Sequence, residues 1–293
     1  MTIITTTFIP CSAKLPIIAL IAGALFPGST LVAPSAYFVG MAAIIVSGII
    51  LKKTRMFSGD ATPFIMELPA YHLPGIKSIL IHVWDRSKAF IRKATTVILL
   101  ATVLVWFLST FNWKLKMVET EYSILASIGK VIAPIFIPLG WGNWKAAVAT
   151  VTGLIAKENV VGTFGILYGY ANVADNGGEF WRNLQGEFTQ LSAYSFLIFN
   201  LLCAPCFAAI GAVRSEMGNA KWTLFSVGYQ TVFAYIIATS VYQIGSLISG
   251  NGFHVGTAVA LLFVLLLLYF LVRKPSEVNS NKKDSRIDTR KTA

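Results

Sequence analysis

The sequence is short of charge, histidine and cysteine. Charged residues make up 13% of its 293 positions, about half the share of an average soluble domain, which excludes a broadly water-exposed surface. Three cysteines in an apolar setting do not make a disulfide framework. The one C-x-x-C, Cys203–Cys206, has no second copy and no neighbouring histidine to complete a zinc site, and no βαβ pattern surrounds it to suggest redox chemistry. There is no G-x-x-x-x-G-K-[ST], no H-E-x-x-H and no G-x-S-x-G, so no nucleotide-binding, zinc-protease or serine-hydrolase motif is present.

Hydrophobic residues are what the sequence has, at 55%. Apolar runs of about 20 residues, the length that crosses a bilayer, recur along it. They fall at roughly 14–26, 34–51, 94–111, 124–140, 144–169, 192–213, 223–248 and 254–273. The expected class is all-α, a polytopic transmembrane protein. Leu15–Phe26 has the look of a signal-peptide core, but no basic stretch precedes it and Cys11 and Pro16 interrupt its start.

The net charge of +11 sits at span ends and in the tail. That is the pattern of a positive-inside membrane protein rather than of a nucleic-acid surface. Lys52, Lys53, Arg55, Lys77, Arg86, Lys88, Arg92 and Lys93 make the 52–93 section cytoplasmic. Within it Ile76, Ile79, Leu80, Val83, Phe90 and Ile91 recur at helical spacing, predicting a helix that lies in the membrane interface. Threading outward, loop 112–123 falls outside, the turn at Trp141–Lys145 inside, loop 170–191 outside, and Arg214, Lys221 and the tail from Arg273 inside. Counting 124–140 as a full crossing, despite Pro134 and Pro138, keeps every basic cluster on one side.

Pro-Cys-x-Ala occurs twice, at Pro10–Ala13 and Pro205–Ala208. Proline removes a helical hydrogen bond, and unwound backbone at membrane depth persists only where it is buried in protein or lines a cavity. Paired interruptions point to a transporter's binding site, and thiols beside them offer soft ligands to a transition metal. The ordinary alternative is that Cys11, Cys203 and Cys206 are small core residues beside kinks. Glu158 lies inside the 144–169 run, where an ionisable group costs at least about 2.5 kcal/mol and is functional by default. Its register with Gly162, Gly165 and Gly169 puts it on a small-residue face, with Lys157 pointing about 100° away. A structural ion pair is its alternative. "PFIMELPAYHLP" (Pro63–Pro74) holds Met66 and Glu67 among prolines, and Glu67 reads equally as a solvated loop residue.

Four stretches in order resemble the FeoB family of ferrous iron transporters: "FIPCSAKLP" (Phe8–Pro16), "PFIMELPAYHLPG" (Pro63–Gly75), "IAPIFIPLGWGNWKAAVATVTGLIAKE" (Ile132–Glu158) and "LLCAPCFAAIGAVRSEMG" (Leu201–Gly218). The similarity reaches almost to the tail. It implies paired broken-helix gate repeats carrying Cys11 and Cys206. Fe²⁺, the transported substrate, would meet Cys11, Cys206 and Cys203, with Glu158 and Glu67 as carboxylates. Lys14, Lys157, Met66 and Glu216 are further path candidates. Its implied organisation is a partial first gate region over 1–55, a cytoplasmic segment over 56–93, a membrane core with the second gate over 94–248, a last span over 249–273 and a disordered basic cytoplasmic tail over 274–293.

Family members begin with a cytosolic GTPase domain and a helical linker, whereas this sequence opens within the first gate motif. GTP hydrolysis would then belong to a domain or subunit supplied in trans, and the chain itself would not be an enzyme. The implied setting is the bacterial inner membrane, with the lipid bilayer and a homo-oligomer as partners and no nucleic acid. Rival readings are a transporter of another small solute such as a nucleoside, a non-transporting remnant that associates with a GTPase, and a membrane enzyme using Cys206 as nucleophile. The last would need His72, His82 or His254 brought to it by the fold.

Overall fold

The structure is a computed structural model that describes residues 1–54, 75–170, 178–250, 252 and 255–273. Glu67, Met66 and the basic tail lie outside the described residues. Among those described, the architecture is all α, as expected, with a single antiparallel bridge between Phe111 and Met117.

The described residues form twelve α-helices in order: α1 (Thr2–Thr6), α2 (Leu15–Leu25), α3 (Val32–Lys53), α4 (Ile76–Thr110), α5 (Ile124–Ile132), α6 (Trp144–Ile155), α7 (Asn159–Leu167), α8 (Trp181–Glu187), α9 (Gln190–Leu202), α10 (Phe207–Met217), α11 (Ala220–Ile248) and α12 (Val255–Val272). Among the described residues three stretches are long and apolar enough to cross a bilayer: α3, α11, and α9 with α10 taken together. The helix expected in the interface and the 94–111 run are one continuous element, α4, with no break at 93/94.

Helix α9 is the centre of the molecule. Ser192, Ala193 and every residue from Ser195 to Leu202 are buried, so this helix is apolar around its circumference. It runs antiparallel to α11, with Ser195 Oγ donating to Ala238 O at 3.1 Å and Leu191 packed where a side chain on Gly245 would stand. It also runs antiparallel to α2, whose two ends meet Leu201 and Gln190. Helix α3 is tied to the bundle by Ser35–Tyr194 at 3.0 Å and Ser47–Tyr229 at 2.8 Å.

These pairings define two ends of the molecule. One end carries Lys52 and Lys53 at the close of α3, Arg214 and Lys221 around the α10–α11 turn, and Arg273 after α12. Lys53 Nζ donates to Leu271 O there. The opposite end carries the close of α2, helix α8 and the start of α9, with Gln185 Nε2 on Ala24 O at 2.6 Å.

Two expected crossings do not cross. Asn143 and Lys145, placed inside by the sequence, meet Glu187, placed outside. Asn143 Nδ2 reaches Glu187 Oε2 at 2.8 Å and Lys145 Nζ reaches Oε1 at 2.7 Å. Tyr168 O–H donates to the same carboxylate at 2.9 Å, so α6 begins and α7 ends at one end of the molecule. The 144–169 run is therefore a hairpin, with Thr152 facing Thr163 at 3.0 Å and Gly153 against Val160. At 1.5 Å per residue each arm is about half a bilayer core deep.

The 124–140 run likewise enters and leaves at that end. Its start is held by Ile124 N–H on Phe111 O at 3.0 Å. Its 3₁₀ stretch, Ala133–Leu139, climbs α11 from Tyr235, which donates to Ile135 O, to Gln243, which donates to Pro138 O. It meets α6 at 97°. The turn between them needs glycine: Gly140 has φ +86° and sits directly on the Tyr242 ring. Trp141 then inserts among Phe136, Phe196 and Phe199, stacked on Phe136 at 4.3 Å. Because both expected crossings fail, the count stays even, and the basic clusters named above still share one end.

Candidate cation path at three helix breaks

Three interruptions of helical backbone face one another. The first lies between α1 and α2, where Cys11 is extended (φ −90°, ψ 168°) and a 3₁₀ turn, Ser12–Lys14, leads into α2. Pro16 sits in the first turn of α2, where its missing N–H leaves no bond unmade. The second lies between α9 and α10. Cys203 is extended (φ −63°, ψ 170°), Pro205 has no N–H to continue the ladder, and Cys206 (φ −62°, ψ 160°) precedes α10 without a side-chain cap. The third is the tip of the α6–α7 hairpin, Ala156–Glu158, and contains no proline.

Two lysines join these breaks. Lys14 is 2% exposed; its Nζ donates to Leu201 O at 2.6 Å, in the last turn of α9, and to Thr7 O at 3.3 Å. Lys157 is 1% exposed, and its Nζ lies 2.9 Å from Cys203 Sγ. Among the described residues the one ion pair is Lys145–Glu187 at the protein's end, so neither buried ammonium has a carboxylate partner. Lys14 is close enough to Lys157, Cys11, Cys203 and Cys206 to interact electrostatically with all four. Buried charge without an opposite charge costs several kcal/mol, offset here only by carbonyl and sulfur acceptors.

One further acceptor stands beside the second break. Asn200 is fully buried and donates through Nδ2 to Phe196 O at 3.0 Å, while its Oδ1 has no hydrogen-bond partner among the described residues. Cys203 Sγ leans on Asn200 O at 3.6 Å. Gly153, across from it, leaves the gap that Oδ1 faces; a side chain there would stand 3.8 Å from that oxygen and collide with Val160.

The family model described as ferrous iron transport protein B C terminus matches residues 33–86, and a Gate model described as nucleoside recognition matches residues 91–220. The Fe(2+) transporter FeoB of Methanocaldococcus jannaschii is 37% identical over 261 residues, covering 85% of this chain and 37% of its own length. That of Escherichia coli is 33% identical over 331 residues, covering 95% of this chain and 43% of its own. The chain belongs to the FeoB family. A Porphyromonas gingivalis relative, named as a fusion of Fe(2+) transport protein A with FeoB, is 32% identical over 295 residues. The chain spans about two fifths of the length of these curated FeoB relatives. No solved structure matches it.

In this FeoB-family chain the residues singled out from the sequence are only partly gathered. Lys14, Lys157 and Cys203 meet; Cys206 is half-buried at the same break; Cys11 is exposed beside Lys14. Among the described residues no three His, Cys, Asp or Glu side chains lie close enough to hold a metal ion, so the three thiols do not form a joint ligand set in this structure. Glu158 stands at the tip of the hairpin, about half a bilayer core deep, and not within a continuous span. It is exposed at the start of α7, and Gly162, one turn on, is exposed with it. The lysine beside it takes the buried place instead. Glu216 is exposed in the last turn of α10, about 15 Å along the helix from Cys206.

Proposed function

We propose that the chain forms the membrane path of a ferrous iron importer, with Fe²⁺ passing the break at Cys203–Cys206. The observation that carries this reading is the convergence of three interrupted helices on Leu201–Cys203, with freed carbonyls, a thiol and an unclaimed amide oxygen. Borderline Fe²⁺ accepts such a mixed set, and interrupted helices serve transporters as ion sites. The relatives' names supply the cargo. Cys206 and Cys11 serve as entry and exit ligands, and Glu158 at the hairpin tip provides a carboxylate. The basic end faces the cytoplasm of the bacterial cell, following the positive-inside bias. Energy coupling comes from a GTPase domain or subunit, and the fusion relative suggests a small Fe(2+) transport protein A partner.

Uptake of radiolabelled Fe²⁺ into vesicles tests the reading, with the chain alone and with a GTPase-bearing FeoB partner. Uptake should require the partner, fall at least about tenfold in Cys206→Ser, and fall in Glu158→Gln. Metal-independent uptake of a labelled nucleoside, unaffected by Cys206→Ser, would favour the nucleoside reading and overturn this one.

A further inference from the structure

Lys14 and Lys157 hold the two acceptors that the second break offers. An interrupted helix presents unpaired carbonyls at the end of its first half and, here, a thiol directly after it. Leu201 O takes the Lys14 ammonium at 2.6 Å and Cys203 Sγ takes the Lys157 ammonium at 2.9 Å. Each lysine arrives from a different interruption, Lys14 from the 3₁₀ turn before α2 and Lys157 from the tip of the α6–α7 hairpin. Both are buried, and neither has a carboxylate partner among the described residues. A structural lysine at membrane depth is expected to find an acidic partner or to extend to the interface. These two instead occupy the acceptors a passing cation would use.

We infer that Lys14 and Lys157 are tethered cations that close the break: a divalent ion reaches Leu201 O and Cys203 Sγ only by displacing their ammonium groups. The inference rests on the cation-path reading above and adds to it how the path is shut. Two positive charges beside a thiol raise the energy of any further cation in a low-dielectric site, so the closed state excludes ions by charge as well as by occupancy. The break opens when the hairpin tip and the α1–α2 turn withdraw. Both are short irregular segments at element ends, the kind of position that absorbs backbone change. Asn200 Oδ1 is then a ready oxygen ligand beside the vacated thiol.

The test reads metal binding at Cys203 directly. The purified full chain is exposed to a small membrane-permeant maleimide at increasing Cd²⁺, a soft thiolate-binding divalent ion, and Cys203 modification is followed by peptide mass spectrometry. In Lys157→Met, which keeps chain length and apolar volume but removes the charge, the Cd²⁺ midpoint for protecting Cys203 should fall at least about tenfold, or about 1.4 kcal/mol. Lys157→Gln, which keeps an N–H donor, should fall between the parent and Lys157→Met. Lys14→Met acts through the neighbouring carbonyl and should lower the midpoint independently, so the inference stays testable if one variant does not fold. A midpoint unchanged or raised in Lys157→Met and Lys14→Met overturns it, and makes both lysines supports for the thiol rather than barriers. Iron flux is not the readout. A chain that shows the Cd²⁺ shift but moves no Fe²⁺ overturns the transport reading alone.

Discussion

At the scale of single residues, adjacent charged side chains have opposite fates. Lys157 and Glu158 are neighbours at the hairpin tip, yet one is 1% exposed against Cys203 and the other faces outward. The sequence register puts Glu158 on the packed small-residue face and turns Lys157 away from it, whereas the structure buries the lysine. That depends on acceptors, and Cys203 is 46 residues away. A signal was present all the same: Lys-Glu-Asn interrupts an apolar run of 26 residues, longer than one crossing requires. Glycines at this scale give a sharp comparison. An added methyl at Gly153 meets Val160 head-on, whereas at Gly162 it meets nothing within 4 Å. Gly153→Ala should therefore destabilise the protein by about 1–3 kcal/mol through overpacking. Gly162→Ala should be neutral or stabilise by up to about 1 kcal/mol through helix propensity. Thermal unfolding of the two variants in one detergent should move their midpoints in different directions, or leave that of Gly162→Ala in place.

Among elements, the α6–α7 hairpin is the decisive one, and two contacts hold it shut. At the tip, Lys157 docks on the second break; at the base, Glu187 clasps Asn143, Lys145 and Tyr168. Lys145 Nζ also sits 4.5 Å from the Tyr168 ring centroid, which adds a cation–π contact. Glu187→Ala removes three charge-assisted partnerships at a partly exposed site, so about 1 kcal/mol of stability should go, and less at high salt. Thermal melts of the variant at low and high NaCl should converge on those of the parent as salt rises. The clasp also permits a direct test of the hairpin. In a chain with its three native cysteines replaced by serine, Asn143→Cys and Glu187→Cys should join on mild oxidation. Had 144–169 crossed the membrane as one helix, the two thiols would stand at opposite faces and no joining would occur.

For the whole molecule, distribution of charge decides orientation. Lys52, Lys53, Arg214, Lys221 and Arg273 collect at one end, and the opposite end carries Lys130, Arg182 and the Lys145–Glu187 pair. We expect thiols at Thr54→Cys and Asn219→Cys to react with an impermeant maleimide only from the cytoplasmic side, and one at Gln185→Cys only from the other. Labelling of Thr54→Cys and Gln185→Cys from the same side would break the two-ended arrangement. The shared end of these basic clusters, expected from threading, survives the loss of two crossings because they were consecutive: removing a passage out and back leaves every later span where it was.

Composition and run length by themselves determined that the chain is all α, that it belongs in a bilayer, and where α3, α11 and α12 lie. The Pro-Cys pairs marked two of the three breaks, because proline's missing N–H and fixed φ act on the local backbone whatever surrounds it. Gly218 closed α10 for a similarly local reason, its φ of 61° being costly for other residues. Tertiary structure alone decided which apolar runs cross and which double back. An apolar run is compatible with either path; the choice follows from which distant groups receive its unpaired backbone and buried charge. Lys14 finds Leu201 O across 187 residues, Tyr235 finds Ile135 O across 100, and neither pairing leaves a trace in the period or composition of its own segment. The third break, without a proline, exists because Cys203 and the small residues around Gly153 let a lysine tip be buried there. That is a property of packing, formed only once α6, α7 and α9 are together.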